Sequence, residues 1–153
     1  MANTFKSAML DVTTTDLTTL ITVPTANPGA APPVSPTTAV VKSILVCNDS
    51  GSTTLLDVEV LRSSATFEVF KAKSIATNTT TELLEQPLVL QESDVMKVQA
   101  NAANQVHIIA SFMEITKGQL WLIFILYYNP SFFFTVNGPR SFNWGYLSNK
   151  TER

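Results

Sequence analysis

The composition of this chain changes abruptly after Thr116, and this break limits which part can form a single core. Residues 117–153 hold ten of the fourteen aromatic side chains, whereas residues 1–116 are rich in Thr, Val, Ala and Leu and hold only four Phe. A stretch of 116 residues is long enough to bury a core without disulfides or metals. We therefore predict one domain at residues 1–116 and an aromatic C-terminal extension at residues 117–153.

Alternating side-chain character in the first part predicts strands rather than helices. The clearest strand covers residues 105–116, and successive side chains of a strand point to opposite faces. One face carries Val106, Ile108, Ala110 and Phe112, and the other carries His107, Ile109, Ser111, Met113 and Ile115. Both faces are largely apolar, so we expect this strand to lie in the centre of a sheet.

About eight short strands are expected in residues 1–116. They cover residues 17–23, 41–47, 53–61, 65–74, 79–84, 87–90, 95–100 and 105–116. The turn-forming residues 48–52 predict a hairpin between the second and third of these strands. Short strands joined by polar turns are typical of an all-β, antiparallel β-sandwich of jelly-roll or Ig-like type.

Residues 24–38 contain five prolines, which cannot donate to a regular ladder of backbone hydrogen bonds. We expect an extended surface loop there. It either projects toward a neighbouring subunit or is a tolerated insertion between two strands, since long loops cost little closure entropy.

Charge and cysteine content exclude several classes of function. Residues 1–116 have a net charge of −5 and residues 117–153 a net charge of +3, with no dense cationic cluster, so no nucleic-acid partner is expected. The single Cys47 excludes an intramolecular disulfide and is expected to be a small buried residue. The N-terminal residues lack the apolar run of a secretory signal, so we expect synthesis in a cytoplasm.

No catalytic, cofactor or metal-binding constellation is present, and we expect a chain that is not an enzyme. His107 is the only histidine and has no carboxylate or thiol pattern around it, which favours a structural role. Asp57 and Glu59, and likewise Glu92 and Asp94, would share one side of an extended backbone. Such pairs could bind a hard cation, but in a polar sheet they favour a solvated face.

Four segments give residues 1–116 a family resemblance. They are TFKSA at residues 4–8, TLITVP at residues 19–24, AVVKSILVCND at residues 39–49 and ASFMEIT at residues 110–116. In this order they resemble the small virion structural proteins of marine tailed phages of the cyanophage type. The proline-rich insertion near residues 26–36 and everything after Thr116 depart from that pattern.

The resemblance implies a small β-sandwich present in many copies on a virion, as capsid decoration or as a neck or tail accessory. Its implied partners are itself, as a homo-oligomer, and other virion proteins, and it implies no enzymatic activity. The alternative from the residues is a carbohydrate-binding or host-adhesion module with a glycan partner. A third hypothesis is a small hydrolase that uses His107 and a carboxylate.

The aromatic extension is too apolar to remain uncovered, yet its longest apolar run, residues 120–128, is too short for a membrane-spanning helix. It could add strands to the sandwich, insert into an adjacent subunit or meet a lipid interface, or it could be translated sequence without a selected fold. We favour an assembly arm. Its expected contacts are Trp121, Phe124, Tyr127, Tyr128, Phe132, Phe133, Phe134 and Trp144.

Overall fold

Nine β-strands form the part of the chain described by the computed structural model, namely residues 2–27, 29–30 and 34–117. The strands are β1 (Ala2–Asp11), β2 (Thr18–Thr22), β3 (Thr37–Asn48), β4 (Thr54–Arg62), β5 (Ala65–Ile75), β6 (Thr79–Glu82), β7 (Leu88–Leu90), β8 (Val95–Ala100) and β9 (Val106–Thr116). Those residues contain no helix, and hence no helix that could span a membrane. All of them belong to one unit, Met1–Gln119.

The strands form two antiparallel sheets, as the sequence predicts. Sheet A has the order β1-β9-β3-β6, with β7 also paired to β3, and sheet B has the order β2-β8-β4-β5. The core between the sheets is aliphatic, and its largest fully buried side chains include Ile44, Leu56, Ile75, Leu90, Met96 and Ile108. Each sheet buries every second residue of its inner strands, which is the pattern of a β-sandwich.

The prediction of a central strand near the C-terminal end of the domain is confirmed. β9 pairs with β1 on one side and with β3 on the other. β1 is a strand that the sequence pattern did not predict. Its residues are mostly exposed, so its alternation is weak, and its strand conformation depends on the hydrogen bonds that β9 offers along its whole length.

The predicted hairpin at residues 48–52 is wrong. β3 belongs to sheet A and β4 to sheet B, so the connecting loop crosses from one layer to the other. Asn48 is fully buried at the start of this loop, and its side-chain amide donates to the carbonyl oxygens of Ser52 (2.8 Å) and Ile75 (3.1 Å). The bond to Ile75 connects the end of β3 to the end of β5 in the opposite sheet, and the bond to Ser52 lies within the loop itself.

A bulge in β3 reverses the direction of its side chains. Val41 pairs with Phe112, but Ser43 pairs with Ser111, so the register shifts at Lys42. Val41 and Ile44 therefore both point into the core, whereas a regular alternation would put Val41 and Ser43 on the same face. Cys47 consequently lies on the outer side and is only half-buried, which corrects the expectation of a buried cysteine.

The proline-rich segment ends earlier than the sequence suggests, because β3 already begins at Thr37. Within it, Asn27 and Val34 form an isolated antiparallel bridge with two backbone hydrogen bonds of 2.9 Å. The bridge closes the segment into a local loop between β2 and β3.

The connection between β4 and β5 is the tightest hairpin among the described residues. Arg62 pairs with Ala65, so the loop has two residues, and both have positive φ angles, 48° at Ser63 and 70° at Ser64. Positive φ at both central residues is the requirement of a type I′ turn, in which Asn-Gly is preferred. Serine has a Cβ that is disfavoured in this region of φ.

We expect Ser64→Gly, or Ser63→Asn combined with Ser64→Gly, to stabilise the protein by about 1 kcal/mol. Urea unfolding followed by circular dichroism measures the change. Ser52→Gly is the control, because Ser52 lies in a loop without a positive φ angle, and it should not stabilise. A Ser64→Gly variant no more stable than the native protein would contradict the assigned turn.

Candidate assembly surface

The outer faces of the two sheets differ in chemistry. The outer face of sheet B is charged in its centre, where Glu59 of β4 lies between Lys97 of β8 and Glu68 of β5. The corresponding face of sheet A carries apolar side chains, which we call the apolar face. Its members are Phe5, Met9, Val40, Leu45, Val89, Ile109, Met113 and Ile115.

The strand registers arrange the apolar face in rows across the sheet. The first row contains Phe5, Met113, Val40 and Val89. The second contains Met9, Ile109 and Leu45 and ends at the charged Glu82 of β6. Between them lies a row of three serines, Ser7, Ser111 and Ser43, which we call the serine row. At its β3 end the exposed Lys42 precedes Ser43, and the Ser43 hydroxyl donates to Glu82.

Much of this surface is open to solvent. Phe5 is 82% exposed, Met9 73%, Val89 52%, Ile109 40% and Leu45 39%. These are five of the eight exposed large hydrophobic residues in the described part of the chain. Soluble monomers seldom expose a large contiguous apolar patch, because water disfavours apolar surface in proportion to its area. The apolar face is therefore the strongest candidate for a contact surface.

The two sheets also differ in how well their edge strands are protected against pairing with another chain. Phe5 and Met9 belong to β1, a ten-residue edge strand whose only charged side chains are Lys6 and Asp11. The edge strand β5 of sheet B carries three charged residues and has a positive φ angle at Ala72, where its pairing with β4 is irregular. Charges and irregularities of this kind protect an edge from pairing with another chain. β1 has little such protection.

A polar cluster ends the apolar face beyond its second row. The side chain of His107 lies between two carboxylates, with Nδ1 at 3.5 Å from Asp11 and Nε2 at 3.2 Å from Asp49. All three side chains are about half exposed, so the expected structural histidine lies on the surface rather than in the core. In residues 2–27, 29–30 and 34–117, no group of three or more His, Cys, Asp or Glu side chains is arranged so that it could hold a metal ion.

The two predicted carboxylate pairs have different structures. Asp57 and Glu59 share the outer face of sheet B, where the backbone amide of Ala72 donates to Asp57 and lowers its pKa, with a further contribution from Lys71. Glu92 and Asp94 do not act together, because the backbone turns at Ser93. Glu92 accepts from the amide of Ala26, and Asp94 is buried against Arg62.

An open groove of about 360 Å³ lies on the outer side of sheet B, beside Leu55. Its polar side chains are already engaged within the protein. Asp57 binds Lys71 at 3.1 Å, Gln99 donates to the carbonyl of Thr15, and Asn101 accepts from the amide of Leu55. The hydrogen-bonding groups that line the groove therefore stabilise the fold.

The eight aromatic residues predicted as assembly contacts, from Trp121 to Trp144, lie outside the described residues, and that prediction is untested. The apolar face was not predicted. Its signal was nevertheless present, because the second face of residues 105–116 is apolar. That pattern predicts a central strand, which the structure confirms, but it does not indicate that the second face points outward from the sandwich.

No family model matches this chain, and no curated protein matches it. Two solved structures to which it is similar are both of a pentameric capsid protein isolated from metagenomic phage sequences. They are 16% identical to this chain over 74% of its length, with TM-scores of 0.37 and 0.38. The chain spans less than two thirds of their length, namely 64% and 62%.

Proposed function

We propose that this chain is a non-enzymatic structural protein of a phage virion, either a capsid decoration or a neck or tail accessory. It acts through protein–protein contacts made by the apolar face. The observation that carries the proposal is the exposure of five large hydrophobic side chains on one face of one sheet. The resemblance of residues 1–116 to small phage virion proteins supports the choice of partner, which is another virion protein or another copy of the chain.

Burial of the apolar face provides the driving force for such contacts. Covering apolar surface contributes roughly 25 cal/mol per Å² removed from water, and an interface also has to overcome the loss of translational and rotational freedom. Strand pairing has already ordered the backbone beneath these side chains, so the further entropy cost of binding falls on the side chains. A rigid apolar sheet face thus suits repeated contacts in a particle.

Mass spectrometry of purified particles tests the proposal. Particles would be isolated on a density gradient from the virus–host culture that encodes the chain, and peptides of the chain would be quantified against a known shell protein. We expect the chain to co-sediment with particles in many copies. Its presence only in the soluble host fraction would contradict a virion role.

A carbohydrate-binding role receives less support. Sugar recognition commonly uses exposed aromatic rings, and the four aromatic residues of the described part are all Phe. The two that are exposed, Phe5 and Phe67, belong to different sheets, so they do not form one stacking platform. Specific binding of the full chain to a glycan array would favour this alternative over the structural role.

The aromatic extension, residues 117–153, is proposed to act as an assembly arm for neighbouring virion proteins. This part of the proposal depends on its sequence alone. A chain ending at Lys117 should be incorporated into particles less efficiently than the full chain. Equal incorporation of both chains, measured by the same peptide quantification, would contradict an arm.

A further inference from the structure

We infer that the apolar face binds the apolar face of a second copy of this chain. The two sheets A pack face to face about a two-fold axis that runs across the strands, along the serine row. This inference depends on the proposed structural role and specifies the partner at the same surface.

The order of the rows makes the apolar face complementary to itself. An apolar row lies on each side of the serine row, so the pattern reads apolar, serine, apolar along the strands. Rotation about an axis along the serine row places the row of Phe5 over the partner's row of Met9. The small serines then meet each other at the centre. An isologous contact requires this kind of self-complementarity.

The charges at the two ends of the apolar face favour this axis over a two-fold axis that runs parallel to the strands. Asp11 and Asp49 lie at one end, and the exposed Lys117 follows β9 at the other. The proposed rotation brings the acidic end of each copy near Lys117 of the other. A two-fold axis parallel to the strands would instead superpose the two acidic ends, and like charges at close range disfavour a contact.

The size of the face fits a specific but weak contact. Four strands at about 4.8 Å spacing and eight residue steps at about 3.4 Å give roughly 500 Å² on each copy. The two copies would together bury on the order of 1,000 Å², which is the lower limit for a specific interface. We therefore expect a dimer that dissociates in the micromolar range and is reinforced when many copies assemble.

Sedimentation velocity of the full chain across a concentration series tests the inference. Ile109→Asp introduces one charge per copy at the centre of the apolar face and should weaken dimerisation roughly 30-fold or more. Leu55→Asp is the matched control. Leu55 is 41% exposed and Ile109 40%, but Leu55 lies on the outer face of sheet B, so its substitution should leave dimerisation within about 2-fold of the native chain.

A second variant and a cross-link keep the test independent of folding. Met9→Asp, at a residue 73% exposed on the edge strand, should weaken dimerisation like Ile109→Asp while circular dichroism shows an unchanged fold. In a Cys47→Ser background, Ser111→Cys should give a covalent dimer with a short bismaleimide. Ser74→Cys, at an exposed serine on the outer side of sheet B, should not.

Several outcomes would overturn the inference. They are a full chain that stays monomeric at every concentration, equal effects of Ile109→Asp and Leu55→Asp, and covalent dimers through Ser74→Cys but not through Ser111→Cys. A monomer that binds another virion protein through the apolar face would overturn the second copy as partner and leave the structural role intact. Dimerisation through this face in a protein absent from particles would instead contradict only the proposed function.

Discussion

Asn48→Asp should lower the free energy of unfolding by about 4 kcal/mol at pH 7, although the substitution only replaces the side-chain NH2 group by an oxygen. The Asn48 amide donates to two carbonyl oxygens, those of Ser52 and Ile75. A carboxylate at this position would place a negative charge against both acceptors, in a site with no exposure to solvent. Urea unfolding at pH 7 measures the loss.

The pH dependence of this variant distinguishes the mechanism from a simple loss of packing. The site favours the neutral carboxyl, so the folded-state pKa of the introduced group is raised above its unfolded value of about 3.9. The destabilisation should therefore be small below about pH 4 and should grow as the pH rises toward the folded-state pKa. Asn78→Asp, at an exposed turn residue, should change stability by less than about 0.5 kcal/mol. A pH-independent loss at residue 48 would contradict the assigned hydrogen bonds.

Asp94→Ala should destabilise the protein by about 3 kcal/mol. The Asp94 side chain is 1% exposed and accepts from Nε of Arg62 at 2.8 Å and from the amide of Gln91 at 2.6 Å. Its removal leaves the Gln91 amide without this acceptor and creates a small cavity. Asp94→Asn retains one acceptor and should cost less. Asp16→Ala, at an exposed loop aspartate, should be close to neutral.

The contribution of Asp94 should also disappear in acid. The Arg62 guanidinium lowers the pKa of Asp94, burial opposes this effect, and the Gln91 amide adds to the lowering. A lowered folded-state pKa stabilises the native state above the unfolded pKa of about 3.9, and this stabilisation is lost as the pH falls through the folded-state value. The difference between the native protein and Asp94→Ala should thus shrink below about pH 4. A constant difference down to pH 2.5 or so would contradict an ionised Asp94 in the fold.

Strand positions could be predicted from the sequence because period-two alternation is a local property. β8 is found at Val95–Ala100 as expected, and β9 is shorter than its predicted span by one residue. In both strands the apolar positions are buried in alternation. The sequence pattern does not predict β1, because its side chains give almost no alternation and its pairing partner β9 lies at the other end of residues 1–116.

The hairpin error has a physical cause that is general to sandwiches. Residues 48–52 have turn-forming chemistry, and a turn can reverse the chain within a sheet or carry it to the opposite layer. Local residue preferences do not distinguish between these two paths of the chain. The choice depends on the partner of Asn48, which is the carbonyl of Ile75, 27 residues later in the chain. The alternating apolar residues of β3 and β4 can be buried in either arrangement.

The candidate site depended even more on tertiary structure. The outward direction of Leu45 follows from the bulge at Lys42, which no pattern in the sequence indicates. Phe5 and Ile109 come onto one surface only through the pairing of β1 with β9 and its continuation to β3. The aromatic residues that the sequence emphasises, from Trp121 to Trp144, lie outside the described residues.

The sequence by itself determined the class of fold, since alternating aliphatic residues without helical periodicity can bury their apolar side only in stacked sheets. Tertiary structure alone decided which strands share a sheet and which apolar face stays outside. The reason is that alternation specifies two sides of each strand, but only long-range pairing and register decide which side another layer covers.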